Sequence, residues 1–354
     1  MSQPTESASD PVLLSICIAT YQRGAFIGQT IDSILEQMVS GVELLVVDGA
    51  SPDDTAQVMH SLREKHPEIV YRREERNSGV DVDYDKAVGY ARGRYCWLMS
   101  DDDVLLPNAL HRLLTVLKED PDLVVLNSEV RNKSLSALLH PRLLPVAADV
   151  SFEPKDNEPF FVLAANYLTF IGAVIIRREL WLSRAREPYY GSNFIHVGVI
   201  FQAPVPGTIR ILADPLVSIR YGNALWSARS FDIWVNKWPD LIWSLSQFSE
   251  PSRRRVTRRS PALGLRRLLW FRAIGAMREA EYRRIVQDHA PIHTRILARL
   301  AMLLPSRMLN AALAVYCLFS IDAYARMKLF ELARAAVGGA TARRLASLRG
   351  VRDV

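Results

Sequence analysis

Apolar residues open the chain as an unbroken run, Val12 to Thr20 (VLLSICIAT), with no polar alternation. That is the signature of a strand covered on both faces of a parallel sheet. Tyr21-Gln22-Arg23-Gly24 turns the chain, and Phe26, Ile27, Ile31, Ile34, Leu35 and Met38 follow at helical spacing up to Gly41. A second strand, Val42 to Val47, ends in Asp48, and Ser51-Pro52-Asp53-Asp54 starts a helix reaching Lys65, with an N-cap, an early proline and first-turn acids. Ile69 to Arg72 predicts a third strand, Asn77-Ser78-Gly79 a turn, and Asp81 to Arg92 a helix. The apolar run Tyr95 to Met99 drives into Ser100-Asp101-Asp102-Asp103, followed by a helix from Pro107 to Glu119 and a strand at Leu123 to Asn127.

Strands alternating with helices in this rhythm predict a doubly wound, mostly parallel α/β sheet of Rossmann-like layout. Ligands of such sheets bind beyond the carboxyl ends of the strands. Thr20, Asp48 and Asp101 to Asp103 all lie at such ends, so topology brings them together. Residues 131–155 lose periodicity and read as a variable insertion or flap. Phe170 to Arg177 and Ile209 to Ile219 predict further strands, Tyr189 to His196 a pocket lining, and Phe231 to Phe248 an amphipathic helix bearing Trp234, Trp238 and Trp243.

From Pro251 the pattern changes to Arg-rich amphipathic helices broken at Pro261, Pro291 and Pro305. Charge sharpens this boundary. The 354-residue chain has a net charge of +6, but residues 251–354 carry 21 basic and 6 acidic side chains, leaving 23 basic and 32 acidic in residues 1–250. An acidic body with a basic tail suits a body that holds a cation or metal-bound substrate and a tail that faces an anionic surface. Leu265, Leu268, Leu269, Trp270 and Phe271, interleaved with Arg266, Arg267 and Arg272, predict a helix lying in a membrane interface. The opposing reading is a helical subdomain with solvated or nucleic-acid-binding arginines, which predicts salt-sensitive binding of DNA or RNA. Cys17, Cys96 and Cys317 sit in apolar runs without metal-ligand spacing, as buried thiols of a reducing compartment do. Residues 1–11 are polar and lack the basic-then-apolar order of a signal peptide, so they read as a disordered start. Residues 12–250 are the expected α/β domain, divided at residue 130, and 251–354 the membrane-associating region.

Three adjacent carboxylates repel one another unless a cation sits among them. Mg²⁺ or Mn²⁺ bound through one or two of them, with phosphate oxygens and water completing the shell, answers that need. An acidic cap before the Pro107 helix answers it equally well when the triplet is taken alone. Thr20 and Asp48 are likewise open to two roles, ligand contact or local capping.

With the strand ends placed, the pattern resembles the family 2 glycosyltransferases of GT-A fold. Ser15 to Arg23 is similar to that family's first strand and turn, Glu43 to Asp53 to its second strand and acidic loop, and Asn77-Ser78-Gly79 through Ala91-Arg92-Gly93-Arg94-Tyr95 and Trp97 to Pro107 complete the order. Gly79 to Lys86 (GVDVDYDK) and the Ser-Asp-Asp-Asp form of the metal motif most resemble abequosyltransferases and related enzymes of O-antigen assembly. The resemblance implies a metal-dependent transfer of a sugar, such as a deoxyhexose, from a nucleoside-diphosphate sugar to a lipid-linked oligosaccharide. It would take place on the cytoplasmic face of the cell membrane, without nucleic acid. The same resemblance makes Asp102 the metal ligand, with Asp101 beside it at the ribose or diphosphate, and makes Thr20, Tyr21, Arg23, Asp48, Asp81, Asp83 and Lys86 donor contacts. An inverting transfer needs a general base for the acceptor hydroxyl. In the family this is commonly an Asp of a Glu-Asp pair on the far side of the crevice; no such pair stands in the stretch where it would fall, which leaves His196 and Asp103 as candidates, Asp156 and Glu158 behind them, and Asp83 or Asp85 toward the sugar. A nucleotidyltransferase of similar fold would need a Gly-rich loop after the first strand, and Tyr21 to Gly24 is poor in glycine.

Overall fold

The computed structural model describes residues 12–223, 229–259, 264–288 and 290–351; the expected disordered start and Pro261 lie outside them. The first half follows the βα order read from the pattern: β1 (Leu14–Thr20), α1 (Gly24–Leu35), β2 (Val42–Asp48), α2 (Thr55–Lys65), β3 (Val70–Arg73), α3 (Val80–Tyr90) and β4 (Tyr95–Met99). Next come a two-residue strand β5 (Val104–Leu105), α4 (Ala109–Leu117) and β6 (Leu123–Arg131). Strands β3, β2, β1 and β4 are parallel neighbours, with Thr20 registered against Asp48 and Ile18 against Met99. Their ends therefore line one edge. β1 and β4 are buried along their whole length, the physical meaning of their unbroken apolar runs.

The remainder of the sheet is mixed. β7 (Leu138–His140) and β8 (Val150–Phe152) pair antiparallel with β6 and with β10 (Ile209–Arg220), so residues 131–155 are stitched to the sheet and are not a free flap. β9 (Val174–Arg177) lies antiparallel between β4 and β6, and β10 runs parallel to β6. The ten strands form one sheet, continuous across residue 130. Between them, α5 (Asn157–Ala164), α6 (Arg178–Leu182) and α7 (Ile195–Phe201) cover the face that also receives α3. α1 and α4 cover the other.

The join of β4 to the sheet is made by polar contacts. Ser15 Oγ donates to the buried carboxylate of Glu43 on β2 and accepts the Gly93 N–H at 2.7 Å, while Arg92 Nε reaches Glu43 at 2.8 Å. Gly93 passes so near β1 that a Cβ there would lie 2.5 Å from the Ser15 backbone nitrogen.

The C-terminal region is helical: α8 (Ser230–Asp232), a π-helical turn into α9 (Trp238–Ser244), α10 (Glu250–Val256), α11 (Leu265–Ala273), α12 (Glu279–Glu281) with its own π-turn, α13 (Ile292–Leu303), α14 (Ser306–Phe319), α15 (Ala325–Arg334) and α16 (Ala340–Leu348). It is packed on the sheet domain through α15, whose Phe330 touches the Tyr221 ring and blocks any side chain at Gly222, where φ is +100°. The helix at 265–273 corrects the membrane-interface reading of that stretch. Leu268 and Phe271 are buried in a protein core with Phe231, Met277 and Ile285. Arg267 and Arg272 donate to the carbonyls of Trp234, Met302 and Leu304. Its apolar face is turned inward.

Gly93→Ala is expected to lower the unfolding free energy by about 1–3 kcal/mol, since the methyl meets backbone that cannot yield. Gly89→Ala, on α3 with open space around the added methyl, should instead stabilise by about 0.4–1 kcal/mol. Chemical denaturation of both variants checks the pair through opposite shifts in midpoint.

Candidate active site

The acidic loop between β4 and β5 is held from three directions. Behind it, β5 pairs with Val217 and Ser218 of β10. Ahead of it, Arg23 in the turn after β1 approaches two of the carboxylates, with Nε 3.2 Å from Asp101 and a terminal nitrogen 3.5 Å from Asp102. That turn is seated by Ser51 Oγ and Thr55 Oγ1, which accept the N–H groups of Gln22 and Arg23 at 3.0 and 2.9 Å. From the side, Asn223 Nδ2 donates to Asp102 at 2.8 Å, and the Asn223 carbonyl accepts from Arg23 at 3.2 Å.

Asp103 turns away from the crevice. Its carboxylate accepts the Arg220 backbone N–H at 2.7 Å and is buried. The Arg220 side chain donates to the carbonyls of Asp102 and Lys133, each at 2.7 Å, and to Gln29 at 2.6 Å, and it lies over the Phe26 ring. Asp103 is therefore an anchor of the loop, which corrects its reading as a catalytic acid. Arg220, Asn223 and Gln29 were not read from the sequence. The one local signal is an arginine closing a β-rich run at 209–220, and nothing local connects it to residue 103.

Burial is the largest influence on all three acids. It pushes Asp101 up to about 7, helped by the Asp102 charge and opposed by Arg23. Asp102 is raised by burial against Arg23, Asn223 and Arg220, and Asp103 is raised well above the carboxylate range by burial and the Asp102 charge. Two carboxylates thus share one guanidinium in a low-dielectric edge and lack positive charge. That deficit, with hard oxygen donors, fits a divalent cation held by Asp102 and Asp101 whose other ligands come from a diphosphate. No group of three or more potential metal-ligating side chains gathers among the described residues.

The three acids of α3 separate by helical phase. Asp81 accepts the N–H groups of Asn193 and Ile195 at 2.9 and 3.1 Å, pinning the start of α7. Asp85, one turn on, accepts from Trp181 Nε1 at 2.9 Å and meets Arg186 and Tyr190. Both serve packing, which corrects the donor-contact reading of Asp81. Asp83 points the other way, toward Gly49 at the end of β2, where a Cβ would be 2.6 Å from its Oδ2. It is buried, and its Oδ1 has no hydrogen-bond partner among the described residues. Burial pushes it up to about 6, against the Lys86 charge 3.9 Å away. Lys86 itself is bound to Glu74 at 2.5 Å and Ser78 at 3.1 Å.

Thr20 and Asp48 end their strands side by side, both buried. Asp48 accepts from the Ser51 N–H at 2.8 Å and the Tyr71 hydroxyl at 2.7 Å, so it shapes the loop that seats Arg23. Tyr21 is half-buried in the same turn. His196 lies in the core on the fully buried α7, its Nε2 2.5 Å from the Leu168 carbonyl, and burial lowers it to about 4. That placement removes it from the crevice and corrects its reading as the base. Neighbouring Phe194 packs on Trp234 and Trp238, so the 189–196 stretch contributes core as well as surface. Asp156 caps a short turn through the Glu153 N–H, and Glu158 accepts the Ser249 N–H at 3.0 Å. Each of these base candidates is engaged in local structure.

A parallel α/β edge carrying paired carboxylates beside an arginine turn is compatible with a nucleotide-sugar site. Residues 15–178 match the family model Glycosyl transferase family 2. The matched stretch is a little under half of the chain, and together with the likeness to known glycosyltransferases it supports a family 2 glycosyltransferase of GT-A fold. It is similar to the abequosyltransferase RfbV of Salmonella typhimurium, 26% identical over 225 residues that make up 60% of this chain and 68% of the relative. Its likeness to the chondroitin synthase of Escherichia coli is 28% identity over 120 residues, 34% of this chain and only 17% of that one. Among solved structures, TarS of S. aureus in complex with UDP superposes with a TM-score of 0.51 at 14% identity, covering 97% of this chain and 94% of that one. The mannosyltransferase PcManGT from Pyrobaculum calidifontis, in complex with GDP-Man and Mn²⁺, gives 0.50 at 16% identity, covering 95% and 90%. At those identities the superpositions establish the fold.

Asp83→Asn separates binding from stability. A carboxyl raised from the ordinary 3.8 to about 6 binds its proton more tightly folded than unfolded, so the wild type loses stability as pH rises from about 4 through 6. The neutral amide should therefore raise the melting temperature at pH 8, with the gain gone near pH 3.5, while nucleotide affinity falls about tenfold with one lost charge-assisted hydrogen bond. Calorimetric melting across pH and nucleotide titration of the same variant check both halves.

Proposed function

We propose that the protein moves a sugar, of the deoxyhexose class, from a nucleoside-diphosphate donor to a lipid-linked oligosaccharide, with inversion, in surface-polysaccharide assembly at the cytoplasmic face of the membrane. The observation that carries the donor half is the pair Asp101 and Asp102 converging on one guanidinium at the end of β4. Asp102 and Asp101 would hold Mg²⁺ or Mn²⁺. When bound, that ion neutralises the diphosphate leaving group as a Lewis acid.

The chain's own residues supply the rest of the donor site. Arg23 is the nearest positive charge to both acids, and its guanidinium can pair with phosphate in the bidentate manner it uses toward carboxylates. Asp83, whose Oδ2 faces Gly49 at the β2 end and whose Oδ1 lies 3.9 Å from Lys86, would accept an N–H or O–H of the nucleoside. Arg220 and Asn223 keep the loop in one conformation, so little reorganisation accompanies loading. The acceptor half rests on the likeness to abequosyltransferase RfbV and on the basic C-terminal region.

A panel of UDP-, GDP-, CDP- and dTDP-sugars tests the donor reading by thermal shift. One nucleobase should raise the melting temperature by several degrees with Mg²⁺ or Mn²⁺ present and far less with chelator, because a ligand at a hundred times its Kd adds about 2.7 kcal/mol. Asp102→Asn should abolish the cation-dependent part and lower donor hydrolysis and transfer at least about a hundredfold. Stabilisation that is indifferent to the cation and to Asp102 would overturn the assignment.

A further inference from the structure

Helices α13 and α14 are built inside out. Their buried seams consist of small or polar residues, Thr294, Ala298 and Ala301 on the first and Asn310, Ala314 and Cys317 on the second. Leu297, Met302, Leu309 and Leu313 lie half-buried beside these seams, and other large apolar side chains form an outward row. Ile292, Ile296, Leu300 and Leu303 recur at intervals of four, four and three residues with exposures of 65, 54, 52 and 79%. Met308, Val315 and Phe319 continue the seam at 69, 44 and 78%, and Ile321 beyond α14 is fully exposed. A water-facing helix pair has the reverse pattern, and scattered exposed apolar residues do not repeat in register.

Pro305 breaks the pair, and the two helices meet at 95°. The outer seams join at this elbow, where Leu303 and Leu304 are both exposed. No single helix is long and apolar enough to cross a membrane; the twelve residues of α13 span about 18 Å against about 30 Å of hydrocarbon. Residues 289–321 contain Arg295, Arg299 and Arg307 and no Asp or Glu; Arg299 is paired with Glu279 at 3.1 Å, and the charges that carry the surface are those of Arg295 and Arg307. Two copies meeting through this face would set arginine against arginine. An anionic lipid surface meets both features, with acyl chain for the apolar seam and phosphate for its arginines.

We propose that the α13–α14 elbow is the membrane-docking surface of this enzyme, lying in the interface of an anionic bilayer with Ile296, Leu300, Leu303 and Phe319 among the acyl chains. This assignment moves the contact away from the 265–273 helix. It rests on the proposed lipid-linked acceptor only for the reason such a surface serves the reaction; the docking itself depends on the elbow alone.

The test uses the full chain, without donor, and vesicles that carry no saccharide or diphosphate lipid, so its outcome is independent of the nucleotide panel. Wild type should sediment with vesicles of phosphatidylglycerol and phosphatidylcholine and only weakly with phosphatidylcholine alone. The double variant Ile296→Asp, Leu300→Asp should lose at least about tenfold in partitioning with its donor-induced thermal shift unchanged. A Leu303→Cys variant carrying an environment-sensitive dye supplies a readout that does not depend on that double variant folding; Cys17, Cys96 and Cys317 are buried and escape labelling. Its emission should shift to the blue on addition of anionic vesicles. Vesicle binding unaffected by the double variant, an unmoved dye emission, or a wild-type dimer in sedimentation velocity that the double variant dissociates would each overturn the proposal, the last by showing that a second copy covers this face.

Discussion

Three carboxylates in sequence, withdrawn from water at the end of β4, impose the constraint around which this molecule is arranged. Burial raises each of them, and their mutual repulsion adds to it. The structure answers with fixed donors rather than with proximity to solvent. Arg23 comes from the turn after β1, Asn223 follows β10, and the Arg220 amide takes Asp103 out of the crevice. The residual charge deficit lies on Asp101 and Asp102, the two that face outward. A loop satisfied by its own scaffold would have little use for a cation.

Those donors make the site depend on the far end of the chain. Arg220 and Asn223 flank Tyr221 and Gly222, which are pressed by Phe330 and Arg334 of α15. The Tyr221 hydroxyl donates to Glu331 at 3.1 Å, and burial pushes that carboxyl up to about 6. α15 packs in turn against α14. Close packing of this kind transmits displacement between distant points. The helical region is thus a structural support of the acidic loop as well as an apolar, arginine-bearing surface.

Within the sheet domain, capping and packing absorb many of the residues whose types suggest chemistry. Asp81 and Asp85 fasten α3 to the 181–195 segment, Asp48 forms a turn, and His196 fills a core. Asp83 differs from the other acids of α3: its Oδ1 is buried without a hydrogen bond among the described residues, and Lys86 stands 3.9 Å from it. Buried polar groups are nearly always paired in native structures, and Thr20 Oγ1 at the neighbouring strand end shares that lack.

The chain by itself determined the order of β1 to β4 and β6 with their helices, the strand ends at Thr20, Asp48 and Met99, and the acids that meet there, because period and turn chemistry are properties of neighbouring residues; the short β5 was not read. It also determined the split between an acidic body and a basic tail. Only the tertiary structure decided direction. Residues 81 and 85 could have been told from 83 by the four-residue helical repeat, but nothing local joins residue 23 to 101, 220 to 103 or 223 to 102. The same holds for the tail, where one amphipathic helix turns Leu268 and Phe271 to the core and the next pair leaves Ile296, Leu300 and Leu303 outside. Which way a side chain faces is settled by what packs against it, and those partners lie tens to hundreds of residues away.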